Sequence, residues 1–480
     1  MNITLNSQDF AALSPLLILL GFALLLLLIE SFKKRTSKTI SFYCALVGIL
    51  AAACAAYFAP ASENPLLTPW IRFDSLARIF TIIFLGIGFG TVLLTSAFFQ
   101  HFYASHGEYF FLLLSALFGL IIIGAAADFL TLFLGIETLS ISLYVLCNYM
   151  KKWETSSEAA IKYFFMGALA TAFLLYGIAM IYGAVGTTRF DGLLDAYRHL
   201  ASSQEKTLFL GGIALVTLGL AFEATIVPFH VWAPDVYEGA STPVTAFMAV
   251  GTKTGAFAAF IVVFLKTLPQ FDSTWNHLVA LLAYPTLIYA NIVALRQYQL
   301  RRFFAYSGIS HAGFLLIPLA AGTADALPSM IFYLIIYALA TLGSFAVLAF
   351  IDQRSQGVFL KDLSGLFWRS PFLAGIFALC LLTLAGIPPT AGFFAKFYVL
   401  KIAFQAGYYG LVAVGLLTTI LSAYYYLRIA AIMFSEAPSE AAEPRRLWPA
   451  VAVGLSSFAA ILFITCYPEP LLALISTAGK

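Results

Sequence analysis

The stretch PVTAFMAVGTKTGAFAAFIVVFLKTL, residues 243–268, decides how the rest of the chain is read. It is apolar almost throughout. It lacks the alternation of a half-buried strand, and the strands of a membrane barrel would show that alternation too. A helix needs about 20 apolar residues to cross the hydrocarbon of a bilayer. The run is therefore predicted to be a membrane-spanning helix. Near its middle stands a lysine, Lys253, between Gly251 and Gly255. A charge at the centre of such a helix costs at least about 2.5–3.5 kcal/mol. The segment that identifies the fold thus also points to the chemistry.

Working outward, the same pattern recurs along the whole chain. Of 480 residues, 61% are hydrophobic and 10% charged, where a soluble domain has roughly 25% charged residues. A protein core cannot hide that much apolar surface, so lipid must cover it. Spans are predicted near 11–30, 39–59, 75–99, 109–126, 128–148, 158–183, 207–226, 243–268, 276–295, 303–320, 328–350, 371–386, 407–433 and 447–470. The fold class is all-α integral membrane, with about 14 transmembrane helices.

Several functions are excluded at this level. The net charge is +3, and no basic cluster interleaves with aromatics, so no nucleic acid is expected as a partner. There is no glycine-rich phosphate loop and no Ser/His/Asp elbow. Cys44, Cys54, Cys147, Cys380 and Cys466 are scattered in apolar runs without CxxC or metal-ligand spacing, and are expected to be plain core residues. Neither a cofactor nor a metal is expected in this chain. No positive residue precedes the first apolar run, while Lys33, Lys34, Arg35 and Lys38 follow it. That order retains the segment and holds its C-terminal end in the cytoplasm. Further along, Lys151, Lys152, Arg296, Arg301 and Arg302 fall on the same predicted side. The opposite side is poorer in basic residues, with Arg72, Arg189, Arg198 and Lys206 among them. Both termini are therefore expected on the non-cytoplasmic side of the membrane.

A weak internal repeat is present. The seventh span breaks at Val227-Pro228-Phe229-His230 and the twelfth at Gly386-Ile387-Pro388-Pro389. The breaks lie five helices apart. Two five-helix units in tandem must run in opposite senses, because five is odd, and inverted repeats with matching broken helices mark ion-translocating membrane proteins. The expected organisation is an N-terminal part, 1–107, two inverted repeats, 108–270 and 271–435, and a C-terminal helix within 436–480.

Five ionisable residues lie inside apolar runs, and each has a structural alternative as a charge that pins helices together. Glu137 shares a helical face with Ser140 and Tyr144. Lys162 follows Glu158 at i+4 and, near a helix end, has the option of snorkelling. Glu223 precedes Pro228 by five residues. At Lys253 the flanking glycines admit a close neighbour, and burial disfavours the charged form of any lysine, so a proton can leave and return. Lys396 follows the second break. His311, in the tenth span, and His230, at the first break, add side chains that titrate near physiological pH. Carboxylates, lysines and a histidine on successive helices form a candidate relay, and protons or small cations are the most economical cargo.

These segments resemble the antiporter-like membrane subunits of respiratory complex I. The likeness runs through Ser157-Glu158-Ala159-Ala160-Ile161-Lys162-Tyr163-Phe164, Val227-Pro228-Phe229-His230-Val231-Trp232-Ala233-Pro234-Asp235-Val236-Tyr237-Glu238-Gly239, Arg302-Phe303-Phe304-Ala305-Tyr306-Ser307-Gly308-Ile309-Ser310-His311 and Ala385-Gly386-Ile387-Pro388-Pro389-Thr390-Ala391-Gly392-Phe393. Within that family the sequence is most similar to the subunit N branch of NADH-quinone oxidoreductase, which suits Pro234–Gly239 and a lysine at Lys396. The resemblance implies a proton-translocating subunit of a bacterial inner-membrane complex. Its partners would be other membrane-arm subunits, and electron transfer from NADH to quinone would take place elsewhere. It also implies roles: Glu137 as the fifth-helix glutamate, Lys162 as the sixth-helix lysine that tunes the pair, Lys253 as the central lysine and Lys396 as the terminal residue. One position departs, since the family usually has lysine where this sequence has Glu223. Either the path is rewired, with Lys162 or Lys253 balancing two carboxylates, or this half-channel is impaired. The rival readings are a subunit of a multi-subunit cation/proton antiporter, a membrane-bound hydrogenase or ferredoxin-driven relative, and a structural spacer that does not pump.

Overall fold

Backbone in hydrocarbon must satisfy its own hydrogen bonds, so each apolar run folds as a helix. The computed structural model describes residues 6–32, 38–61, 64–99, 107–269, 273–352, 357–435 and 448–476. Lys33, Lys34, Arg35 and the side chain of Lys38 fall outside that description. The spans are α1 (Ser7–Phe32), α2 (Lys38–Phe58), α3 (Ser75–Phe98), α4 (Gly107–Ala125), α5 (Phe129–Cys147), α6 (Glu154–Val185), α7a (Ser203–Glu223) with α7b (Trp232–Gly239), α8 (Thr242–Thr267), α9 (Ser273–Ala294), α10 (Leu300–Ala321), α11 (Ala326–Ile351), α12a (Pro371–Ala385) with α12b (Ala391–Gln405), α13 (Tyr409–Met433) and α14 (Trp448–Cys466). Counting each broken helix once gives fourteen spans among the described residues. Thirteen helices are each long and apolar enough to cross a membrane alone, whereas α12a is too short and needs α12b to complete the crossing.

Polar residues set several helix starts. Asp74 accepts from the Ala77 amide at 2.9 Å and Asp128 from the Thr131 amide at 2.6 Å, which satisfies amides left open by the first turn. Ser202 and Glu205 form a capping box at the start of α7a. The sixth span begins at Glu154, earlier than its apolar run suggests, because a polar first turn extends it beyond the apolar residues.

Burial sorts the helices into an interior and a lipid face. Every residue of Ser241–Phe264 is buried, and so is every residue of Leu300–Ala320 except Arg302. Lys253 and His311 therefore sit on the two most enclosed spans. By contrast α6 and α13 turn Phe165 and Ile420 outward, as expected of side chains that face lipid. Two of the cysteines also depart from expectation. Cys147 and Cys380 are buried, but Cys54 and Cys466 are exposed; Cys54 lies within the apolar α2, where exposure to lipid costs little, and Cys466 stands at the end of α14.

Both breaks have the same construction. α7a ends at Glu223, and Thr225 adopts a left-handed conformation with φ 60°. α12a ends at Ala385, and Gly386 adopts it with φ 77°. A β-branched residue rarely takes this conformation, so Thr225 is held there by its surroundings. At the first break backbone groups find side-chain partners. The Val227 amide donates to Thr286 Oγ1 at 3.1 Å, and Trp232 Nε1 donates to the Phe222 carbonyl at 3.1 Å. The breaks, in α7 and α12, lie five spans apart with four spans between them, so the broken helices run in opposite directions.

Candidate functional site

Lys253 lies at the heart of the molecule. α8 widens to π-helical geometry over Met248–Thr252, and Lys253 follows at once; such widened turns recur at functional sites. The lysine is fully buried, and its Nζ has no hydrogen-bond partner among the described residues. The amine lies 5.8 Å from the centre of the Tyr237 ring. It fits against Gly308 of α10, where an added Cβ would meet Nζ at 3.0 Å and the Tyr337 hydroxyl at 3.1 Å. The expected glycine pair around Lys253 serves only in part. Gly255 does admit Leu120 of α4, but Gly251 meets only the ring of Phe247 from its own helix.

His311 comes next. Its Nδ1 is 2.7 Å from the Tyr333 hydroxyl and its Nε2 is 3.3 Å from the Tyr426 hydroxyl. Tyr426 in turn bonds to Ser307 one turn back on α10. The imidazole stands within electrostatic reach of both Lys253 and Lys396. His311, Tyr333, Tyr337, Thr383 and Lys396 share the lining of a cavity of about 10 Å³, roughly the space of one water molecule. Lys396 Nζ donates to the Ala385 carbonyl at 2.8 Å and to Ser422 Oγ at 3.2 Å, with the Phe314 ring 4.8 Å away. The break exposes that carbonyl at a helix C-terminus, where a cation is favoured. Lys253, His311 and Lys396 thus form one buried series across α8, α10 and α12b.

The carboxylates occupy the other half. Glu223, 6% exposed, accepts from Ser140 at 3.0 Å through Oε1, while Oε2 has no partner among the described residues. Glu137 is half-buried and accepts from Thr171 at 2.7 Å. The two carboxylates lie within electrostatic reach of each other. Neither lysine balances them by an ion pair. Lys162 pairs instead with Glu158 at 2.7 Å and Asp235 at 2.8 Å. Arg302 joins the same cluster through Asp235 at 2.7 Å and Glu238 at 2.8 Å, around a cleft of about 240 Å³. The half-exposed Lys162 thereby joins α6 to α7b. His230 lies in the first break with its ring against Tyr289, the centroids 4.9 Å apart.

Sequence reasoning singled out the ions and Ser140, which donates to Glu223, but not the other neutral partners. Tyr333, Tyr337, Tyr426, Ser422 and Thr171 carry no charge and sit in apolar runs like any core residue. Asp235, Glu238 and Arg302 were visible within motifs, yet no local pattern joins them. Among the described residues no group of His, Cys, Asp and Glu side chains is placed to hold a metal ion. The arrangement suits the exchange of protons between titratable groups through hydroxyls and water.

Known proteins align with this architecture. Residues 126–422 match the transmembrane family described as NADH:quinone oxidoreductase/Mrp antiporter. The chain is 61% identical to NADH-quinone oxidoreductase subunit N of Protochlamydia amoebophila over 99% of each. It superposes on a chain of respiratory complex I from Thermus thermophilus with a TM-score of 0.82 at 31% identity, covering 96% of this chain and 98% of that one. A chain of the Mrp complex from Dietzia sp. has a TM-score of 0.84 at 21% identity, covering 97% and 96%, and shares the fold.

Proposed function

Because the chain belongs to the antiporter-like membrane-subunit family of NADH-quinone oxidoreductase, in its subunit N branch, we propose that it translocates protons within the membrane arm of that complex. On this reading it sits in a bacterial inner membrane among other membrane-arm subunits, with both termini on the non-cytoplasmic side. NADH oxidation and quinone reduction take place in other subunits, and no cofactor is held here. The two five-helix units, 108–270 and 271–435, act as half-channels. Glu137, Glu223 and Lys162 serve the first half, Lys253 links the two, and His311 and Lys396 serve the second.

The observation that carries this reading is Lys253, wholly buried yet without a hydrogen-bond partner or counter-ion among the described residues. A structural ammonium in such a place would be paired. An amine that gains and loses a proton needs to be free of a permanent partner. Free energy released by quinone reduction reaches this chain as shifts in charge pairing, and the Lys162–Asp235–Arg302 cluster is a natural place for such a shift.

The test is Lys253→Met in the assembled complex, reconstituted in proteoliposomes. Proton transport is expected to fall, and NADH oxidation to slow with it if coupling is tight. Lys253→Arg does not rescue, because arginine stays protonated. Unchanged transport in an assembled Lys253→Met complex would sink the assignment.

A further inference from the structure

A set of buried polar atoms between the two halves is left over by the site described above. Glu223 Oε2, Tyr163 Oη, Tyr237 Oη and Lys253 Nζ are all buried, and none has a hydrogen-bond partner among the described residues. Leaving one such group unsatisfied costs about 1–3 kcal/mol, so four in one region call for a common explanation.

They are close together. The Tyr163 ring stacks on Trp232 at 4.5 Å, and Trp232 meets Tyr237 edge-on at 6.2 Å. Trp232 is anchored by its bond to the Phe222 carbonyl, one residue before Glu223. Glu223 lies within electrostatic reach of both tyrosines. Tyr237 lies under the Lys253 amine and within reach of Tyr337. Buried groups in this condition are bridged by ordered water, each water binding about three of them.

We propose that Tyr237 is a relay residue, its hydroxyl holding a short file of water molecules through which protons pass between Glu223 and Lys253. This deepens the proton-translocation reading and rests on it. The exchange balances without any further reactant. A proton leaves the Glu223 carboxylic acid for the adjacent water. Each oxygen in the file accepts one proton and releases another. Tyr237 ends as it began, a neutral phenol. The last proton goes onto the lone pair of the Lys253 amine, leaving a carboxylate at Glu223 and an ammonium at Lys253. Tyr163 flanks the same file from α6. A glutamate in place of the usual lysine is then no defect, since it feeds the file as a neutral acid and recovers its proton from the Ser140 side. The aromatic stack keeps the file narrow and in register.

Tyr237→Phe tests this, because it keeps the ring and removes only the hydroxyl. In proteoliposomes the assembled Tyr237→Phe complex is expected to transport protons several-fold more slowly. Combining it with Glu223→Gln is expected to be no worse than the worse single change, as for two members of one path; a structural role would make the losses add. Wild-type transport by assembled Tyr237→Phe overturns the proposal, and so do additive losses. If Tyr237→Phe does not assemble, a high-resolution map of the unmodified complex decides. Water within hydrogen-bond distance of Tyr237 Oη and Glu223 Oε2 supports the file, and a dry contact overturns it. Lys253→Met, measured alongside, separates the two levels. If it transports normally, the translocation reading fails. If it is slow while Tyr237→Phe is not, only the relay through Tyr237 fails.

Discussion

At the scale of single residues, the chemistry depends on what a side chain lacks as much as on what it touches. Lys253 and Glu223 are buried with unfilled hydrogen-bonding capacity, whereas Lys162 and Arg302 are paired with carboxylates, Lys162 with Glu158 on its own helix and both with α7b. The latter side chains are about a third to two thirds exposed. Each pair is worth roughly 0–1 kcal/mol to stability, small enough to be broken and remade during turnover. Glu223 gives the sharpest prediction. Glu223→Gln keeps an oxygen to accept from Ser140 and nearly the same volume, so the complex is expected to assemble. Without a titratable group it is expected to transport slowly. Glu223→Lys, the residue usual at this position in the family, keeps a titratable group there and should transport far better than the glutamine variant. Proton uptake measured in reconstituted complexes checks the order. Equal, undiminished transport by both would make this half of the chain a spacer. Reading residues from sequence alone recovered the ions, because charge in an apolar run is conspicuous. It missed the tyrosines around His311, because a tyrosine in such a run looks like ordinary packing.

At the scale of elements, the two broken helices place charge where unbroken ones would not. A continuous α12 would use the Ala385 carbonyl in its own ladder. The break releases it to Lys396. Gly386 makes the break possible at φ 77°, a conformation that costs a residue with a side chain about 1–2 kcal/mol. A methyl added there would also come within 2.7 Å of Lys396 Cδ. Gly386→Ala is therefore expected to displace Lys396 from its carbonyl, slow transport toward the level of Lys396→Met, and lower the melting temperature of the solubilised complex. Transport unchanged from the parent would mean that the Ala385 carbonyl is not what positions the lysine. Both breaks were legible in sequence from proline alone. Their left-handed turns were not, since Thr225 is a residue type that local preference keeps out of that conformation.

At the scale of the whole molecule, enclosure rather than sequence order groups the functional residues. The fully enclosed spans α8 and α10 carry Lys253 and His311, and the outer helices shield them from lipid. The proposed orientation rests on the basic residues flanking the spans, and it makes a separate prediction. With the N-terminus outside, α14 ends outside, and Cys466 at its end is exposed. In right-side-out membrane vesicles an impermeant thiol reagent is expected to label Cys466, and in inverted vesicles it is not. Labelling only in inverted vesicles would reverse the topology and, with it, the sides on which the two half-channels open.

The sequence by itself determined that the chain is a bundle of membrane helices, how many spans it has, where two of them break and which charges lie at depth. Hydrocarbon imposes these properties along one dimension, since any apolar run of sufficient length must close its hydrogen bonds as a helix. Which groups meet was decided only in three dimensions. Ser140 and Glu223 are 83 residues apart, Lys162 and Asp235 are 73 apart, and His311 and Tyr426 are 115 apart. Each contact depends on how far a helix is rotated about its own axis and which neighbour it packs against. Apolar composition leaves that rotation open when a helix is apolar all round, and close packing of the enclosed helices settles it.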